Sequence, residues 1–205
     1  MIHVMIQGQS LGFKTDPALF SPDRIDQGTL AMLSKVEFGK EDKVLDLGCG
    51  YGVVGIYAAK IVGPERVVMV DVHKAAVDAA EENIEINQVP GIKVYCSDGF
   101  KDFKETGFSV ILSNPPYHVD FAVPKHFIEK GFNRLELGGR MYLVTKRKDW
   151  YKQKMIAIFG GVQIYEEQGY YVFKSIKKSS SYAHKSHKHE SSKCKSRRNE
   201  FKENK

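Results

Sequence analysis

No run of apolar residues here approaches the roughly 20 that a bilayer-spanning helix needs. The longest, such as Val67–Val70 and Ser109–Leu112, are strand-sized, which excludes a helical membrane span. The stretch Met1 to Gln7 lacks a basic flank, a long apolar core and a small-residue cleavage site, so no secretory signal is expected. Cysteine is scarce. Cys49, Cys96 and Cys194 are an odd, scattered set with neither disulfide nor metal-ligand spacing, which suits a reducing, cytoplasmic compartment. Cys49 and Cys96 read as buried thiols. Internal repeats are lacking too, and 205 residues are length for one domain, or one domain plus a tail.

Charge is present but uneven. The formal total is +6, yet from Lys177 onward ten Lys and Arg face three Glu, a tail of +7, while the preceding residues carry 21 basic against 22 acidic side chains. The tail shows no helical or strand periodicity and almost no aliphatic side chains. It cannot bury enough apolar surface to offset its ordering entropy, so disorder is expected past about Lys178. Two readings stay open for it: a polycationic arm on RNA phosphates, or a solvated solubility tail. His184, His187, His189 and Cys194 have metal-binding chemistry, but incidental composition outweighs that reading and no metal site is expected.

The first 176 residues read as strands alternating with helices. Strands are expected at 43–49, 66–72, 93–98, 108–114 and 139–145, with two closing runs at 162–166 and 170–176 close enough to pair antiparallel. Helices are expected at 53–62, 74–87, 121–135 and 149–159. Such alternation predicts a doubly wound, mostly parallel sheet with helices on both faces and an antiparallel C-terminal edge. Residues 12–24 read as irregular and 25–36 as helical. The chain therefore divides into a segment 1–36 that closes over the site, a core 37–176 and a basic tail 177–205.

Ligands in such folds lie beyond the carboxyl ends of the strands, and every chemically suggestive motif falls there. Asp46-Leu-Gly48-Cys49-Gly50-Tyr-Gly52 ends the first core strand. Its glycines let the backbone turn and approach a ligand at a helix N-terminus, and an acid before them can accept hydrogen bonds from a cationic amine. Gly50-Tyr-Gly52-Val-Val-Gly55 also has dinucleotide-fingerprint spacing, with Asp71 placed to accept from ribose hydroxyls; alone this permits NAD, and the alternative for Asp71 is a helix cap. Asp98-Gly99 occupies the matching place on the third strand, either as an acceptor for an adenine amino group or as a common turn. Ser113-Asn114-Pro115-Pro116-Tyr117 ends the fourth. Two prolines stiffen that backbone, so the Asn114 oxygen and the Pro115 carbonyl can present paired acceptors to a planar NH₂ group while Tyr117 offers a stacking face. Lys146-Arg147-Lys148 follows the fifth strand, as a phosphate contact or a solvated turn. Trp150, Tyr151, Tyr170 and Tyr171 read as packing residues.

Together these motifs resemble those of class I S-adenosylmethionine-dependent methyltransferases, a Rossmann-like seven-stranded fold. Phe20-Ser-Pro-Asp-Arg-Ile-Asp26-Gln-Gly28-Thr29, His118 after the Asn-Pro-Pro-Tyr run, Gly138-Gly-Arg-Met-Tyr-Leu-Val and Gly169-Tyr-Tyr-Val are similar to the small-domain (MTS) family, which includes ribosomal RNA guanine-N2 methyltransferases. The resemblance spans roughly residues 12–176. It implies an S-adenosylmethionine site formed by Asp46, Gly48, Cys49, Gly50, Gly52, Asp71, Val72, Asp98, Gly99 and Asn114. It places Asn114, Pro115, Pro116 and Tyr117 at the reacting amine. The chain departs from relatives in having Tyr117 where Phe is common and His118-Val-Asp120 where glycine often follows. The activity expected is methylation of an exocyclic nitrogen in RNA, with guanine N2 of ribosomal RNA leading. Transfer RNA guanine-N2, adenine-N6 and protein glutamine-N5 transfer present similar NH₂ groups, and an NAD-dependent dehydrogenase or a non-enzymatic RNA-binding protein on this fold are the other classes.

Overall fold

The computed structural model describes residues 1–17, 19, 21–116 and 121–183. The chain opens with strands β1 (Ile2–Ile6) and β2 (Gln9–Phe13), an antiparallel hairpin. Its two-residue turn, Gln7-Gly8, has both φ angles positive, 44° and 85°, the mirror-image turn whose twist suits a hairpin. Gly12 and Phe13 are therefore strand rather than irregular. Helix α1 (Gln27–Leu33) follows.

The core then runs β3 (Val44–Leu47), α2 (Val53–Val62), β4 (Val67–Asp71), α3 (Lys74–Ile86), β5 (Lys93–Cys96), β6 (Phe108–Ser113), α4 (Ala122–Arg134), β7 (Leu135–Thr145), α5 (Lys148–Phe159), β8 (Gln163–Glu167) and β9 (Tyr170–Ile176). One seven-stranded sheet has the order β5-β4-β3-β6-β7-β9-β8. The pairs β3–β4, β4–β5, β3–β6 and β6–β7 are parallel, and β9 is antiparallel to both β7 and β8. This is the doubly wound α/β architecture with an antiparallel C-terminal edge that the pattern predicts.

Two details differ. β7 starts at Leu135, because a bulge puts Phe108 opposite Leu135 but Val110 opposite Arg140. β5 stops at Cys96, and Cys96 is exposed, not buried: β5 is the sheet's edge strand, and that thiol faces outward.

The central strands are buried on both faces, which is why they read as continuous apolar runs. Strand alternation sends Val44, Met69, Val110, Leu112 and Tyr142 into one core and Leu45, Leu47, Val68, Val70, Ile111 and Leu143 into the other. The hairpin is tied to α3 by two asparagines one turn apart. Asn83 Oδ1 accepts from the Lys14 N–H at 2.7 Å and its Nδ2 donates to the Lys14 carbonyl at 2.9 Å. Asn87 makes the same two-way contact with Gly12, at 3.0 and 2.7 Å. Side chains thus do for β2 what a neighbouring strand does elsewhere.

From β3 the chain builds outward to β4 and β5, then crosses back to lay β6 on β3's other side. That reversal in strand order opens a crevice beyond the carboxyl ends of β3 and β6.

Candidate active site

A cavity of about 550 Å³ occupies this crevice, within the range typical of small-molecule sites. Five segments contribute walls: Leu19, Ser21, Ile25, Asp26 and Thr29 from the N-terminal segment; Asp46 to Tyr51 from the end of β3 onward; Asp71 to His73 from the end of β4; Ser97 to Gly99 after β5; Asn114 and Pro116 after β6, with Val123 and Phe127 of α4. Of the residues expected from sequence, Asp46, Gly48, Cys49, Gly50, Asp71, Val72, Asp98, Gly99, Asn114 and Pro116 line it, whereas Gly52 and Pro115 do not. Tyr117 and His118 lie outside the described residues, as do His184, His187, His189 and Cys194.

The glycine loop is held from below. Gly48 and Cys49 donate backbone N–H bonds to the Val70 carbonyl at 2.8 and 3.0 Å, and the Gly50 N–H donates to Asp71 Oδ2 at 2.8 Å. At Gly50 φ is 54° and nothing lies within 4 Å of a Cβ position, so bare backbone faces open space. Gly52, φ 95°, instead shapes the start of α2. Gly55 lets that helix approach β4: a Cβ there sits 2.5 Å from Met69 Cγ.

Asp46 is buried, and its Oδ2 accepts from the Gly55 N–H at 2.8 Å. Burial outweighs that bond, and the charge of Asp71 adds to it, pushing the carboxyl up to about 7. A cation placed beside it would favour its ionised form. Burial also raises the Cys49 thiol, with Asp46 and Asp71 adding to the shift. Burial, then the nearby Asp26 charge, raise the Tyr51 phenol to about 12; its hydroxyl bonds the Ser21 carbonyl.

Asp71 does two jobs. Beyond holding Gly50, its Oδ1 accepts from the His73 N–H at 3.0 Å, just before α3, so the capping role and the ligand-facing role coexist; each carboxylate oxygen can accept a further bond. Val72, 53 % exposed, lies beside it as an apolar surface. Asp98 is exposed in the loop beyond β5 and is one of the residues lining the cavity.

At the end of β6, Ser113 Oγ donates to the Leu47 carbonyl at 2.6 Å, locking the ends of β6 and β3 together. The Asn114 Nδ2 donates to Asp26 Oδ1 at 2.7 Å and to Thr29 Oγ1 at 3.0 Å. Because an ionised carboxylate only accepts, the amide's nitrogen end must face Asp26. Asp26 also caps α1, accepting from the Thr29 N–H at 2.9 Å. Roles for Asp26 and Thr29 at Asn114 are not visible in the sequence; the acid three residues before a threonine signals only a helix cap.

A family model described as methyltransferase small domain matches residues 10–174. The chain is 34% identical over 165 residues to Ribosomal RNA small subunit methyltransferase C of Haemophilus influenzae (strain PittGG), covering 78% of this chain and 49% of that protein. It is 30% identical over 179 residues to the uncharacterized protein YbxB of Bacillus subtilis (strain 168), covering 84% and 89% respectively. Among solved structures, the T. thermophilus 16S rRNA N2 methyltransferase RsmC, in complex with AdoMet and guanosine, superposes with a TM-score of 0.79 at 28% identity, covering 86% of this chain and 50% of that one. The chain thus spans about half the length of the ribosomal RNA methyltransferases it matches.

Proposed function

This chain belongs to the methyltransferase small-domain family, and from that premise we propose that it transfers a methyl group from S-adenosylmethionine to an exocyclic amino nitrogen in RNA, guanine N2 of ribosomal RNA foremost. The carrying observation is the Asn114 amide at the cavity wall, oriented by the bonds its nitrogen donates to Asp26 and Thr29; its oxygen is the acceptor assigned to a substrate NH₂. The relatives named as ribosomal RNA methyltransferases, and the neighbour solved with AdoMet and guanosine, support the choice of cofactor and base.

The residues present fit S-adenosylmethionine. Backbone opens onto the cavity at Gly50, carboxylates stand at Asp46, Asp71 and Asp98, and Val72, Val123 and Phe127 give apolar surface. When bound, it supplies an electrophilic sulfonium methyl group. Asp46 would accept from a cationic amine, Asp71 from ribose hydroxyls and Asp98 from an adenine amino group, with Gly48, Cys49 and Gly99 forming the floor and Gly52 setting the helix behind it.

An aromatic amine's lone pair is delocalised into its ring. The Asn114 acceptor, on a backbone stiffened by Pro115 and Pro116, orients the NH₂ and favours the geometry in which nitrogen can attack. The Pro115 carbonyl, expected from sequence as a second acceptor, belongs to a residue that does not line the cavity, and Tyr117 is assigned a stacking face for the base. Positioning is the main catalytic device. Methylation leaves the nitrogen cationic and strongly acidic, so its proton passes to water without a dedicated base. A base inside a duplex could not enter, so looped, single-stranded or flipped RNA is the substrate form. Residues 1–36 are assigned the role of covering the site, and the core they cover runs past the expected boundary at 176. Lys177 is buried and pairs with Gly138 and Gly139, and Tyr182 packs edge-on against Phe132, so the expected disorder past Lys178 does not hold for residues 179–183. The free thiols Cys49 and Cys96 suit a cytoplasmic setting.

The test is transfer of labelled methyl to total RNA from a strain lacking this gene, followed by nucleoside mass spectrometry, with Asn114→Ala alongside. N2-methylguanosine made by the wild type and lost in Asn114→Ala, with cofactor binding retained, is expected. Label in protein glutamine and none in RNA would overturn the reading.

A further inference from the structure

Lys146, Arg147 and Lys148 follow β7 on the same edge of the sheet as the cavity. β6 and β7 are parallel, with Ser113 opposite Leu143, so residue 146 emerges beyond the sheet one strand away from Asn114, and neighbouring strands lie about 4.8 Å apart. All three side chains are exposed. Each lies over an aromatic ring: Lys146 Nζ is 4.8 Å from the centre of Tyr170, Arg147 Cζ 5.0 Å from Phe121, and Lys148 Nζ 4.9 Å from Tyr171. Phe121 in turn stacks on Trp150, with ring centres 4.5 Å apart. Phe121 directly precedes α4, whose Val123 and Phe127 line the cavity, so this cationic surface is continuous with the active-site wall.

The type of partner matters. Among the described residues, no carboxylate forms an ion pair with any of the three cations, whereas Lys14, Lys35, Lys43, Arg66, Lys93, Arg140 and Lys154 each have one. Asp149, next along the chain, is exposed and makes no such pair. A ring face restrains a cation without neutralising it. The turn is therefore a cluster of pre-positioned, uncompensated positive charge in a core whose overall balance is slightly acidic.

We propose that Lys146, Arg147 and Lys148 form the phosphate-gripping rim that holds the RNA strand flanking the target base. This rests on the reading that RNA is the substrate. The rings orient the cations, the cations contact backbone phosphates, and the adjoining Asn114 turn receives the base; phosphate contacts of this kind set register without reading sequence.

The experiment compares the full-length wild type with the triple variant Lys146→Gln, Arg147→Gln, Lys148→Gln. Binding of a short fluorescein-labelled single-stranded RNA is measured against salt, and methyl transfer to ribosomal RNA against RNA concentration. Expected are a tenfold or greater loss of RNA affinity at low salt, a log–log salt slope reduced by about 2 for three single-strand phosphate contacts, a raised KM for RNA, and unchanged S-adenosylmethionine binding. If the triple variant melts early, the single variants Lys146→Gln and Lys148→Gln serve instead, each expected to lower the slope by about 0.7. A wild type that methylates RNA while the variants keep its salt slope and KM overturns the rim alone. A wild type that neither binds nor methylates RNA overturns the substrate reading first, and binding to a ribosomal protein in place of RNA overturns both.

Discussion

The Asp26 carboxylate holds the Asn114 side chain across 88 positions of sequence, accepting its amide nitrogen at 2.7 Å with the same oxygen that caps α1 at Thr29. Under the proposed role of Asn114, Asp26 is a positioning residue, since this bond sets the orientation of the Asn114 amide. Asp26→Ser keeps a good N-cap but is too short to reach Asn114, so melting temperature and S-adenosylmethionine affinity should stay near wild type while kcat falls roughly tenfold or more, the scale of one hydrogen bond to a charged group. Asp26→Asn retains an acceptor oxygen for both partners and should recover most of the rate. A purely structural Asp26 would show equal kcat in the two variants.

Asp46 makes the ligand-free protein sensitive to pH. Its carboxyl is raised from 3.8 to about 7 by burial, so the folded chain holds this proton more tightly than the unfolded chain. The associated stability is fully present below pH about 4 and is lost as pH rises to about 7. The shift corresponds to an order of 4 kcal/mol. The melting temperature of the wild type should fall between pH 5 and pH 8 in the absence of cofactor. Asp46→Asn, which keeps an oxygen for the Gly55 N–H, should be flatter over that range and more stable at pH 8. Parallel pH curves for the two proteins would remove Asp46 as the cause.

Gly55 has no room for a methyl group, since its Cβ would fall against Met69 Sδ and Cγ. Gly55→Ala should cost about 1–3 kcal/mol through overpacking between α2 and β4. Met69→Ala alone leaves a cavity costing about 2–5 kcal/mol. Combining them should give a protein more stable than the sum of the two losses implies, because each relieves the other. Simple additivity in denaturant titrations would argue against the contact.

Asn83 is fully buried and bonds the Lys14 N–H, the Lys14 carbonyl and the Tyr51 carbonyl, the last at 2.9 Å. Asn83→Ala would strand these backbone groups, at a cost of about 3 kcal/mol or more. Amide exchange at Gly12 and Lys14 should accelerate well beyond the global rate, and cofactor affinity should weaken as Tyr51 loosens. Uniform acceleration across the chain would show that the hairpin is not separately pinned by this side chain.

The glycine loop, the three strand-end acids and the Asn-Pro-Pro-Tyr turn were legible because each is a local pattern. A strand, a turn and a helix follow one another within a few residues, and the parallel fold delivers all such turns to one edge. Gly52 and Pro115 belong to those patterns yet do not line the cavity, because local motifs say which turn forms and not which atoms of it face inward. The Gln7-Gly8 hairpin is not written in a local pattern, because β2 and the residue after it are satisfied by Asn87 and Asn83, 75 and 69 residues away, and no local period records that. The exposure of Cys96 is not readable from the chain, because a short β-rich run carries no sign of whether it lies at the centre of a sheet or at its edge.

By itself, the sequence determined the order of strands and helices from β3 onward, the chemistry at each strand end and the basic character of residues 177–205. Only the tertiary structure decided that Asp26 reaches Asn114, that burial raises the Asp46 carboxyl, and that Lys146, Arg147 and Lys148 rest on rings instead of carboxylates. Backbone preference and side-chain periodicity act over a few residues and are written along the chain. Burial, pairing and net local charge depend on what the fold brings near, and they exist only once distant segments have packed.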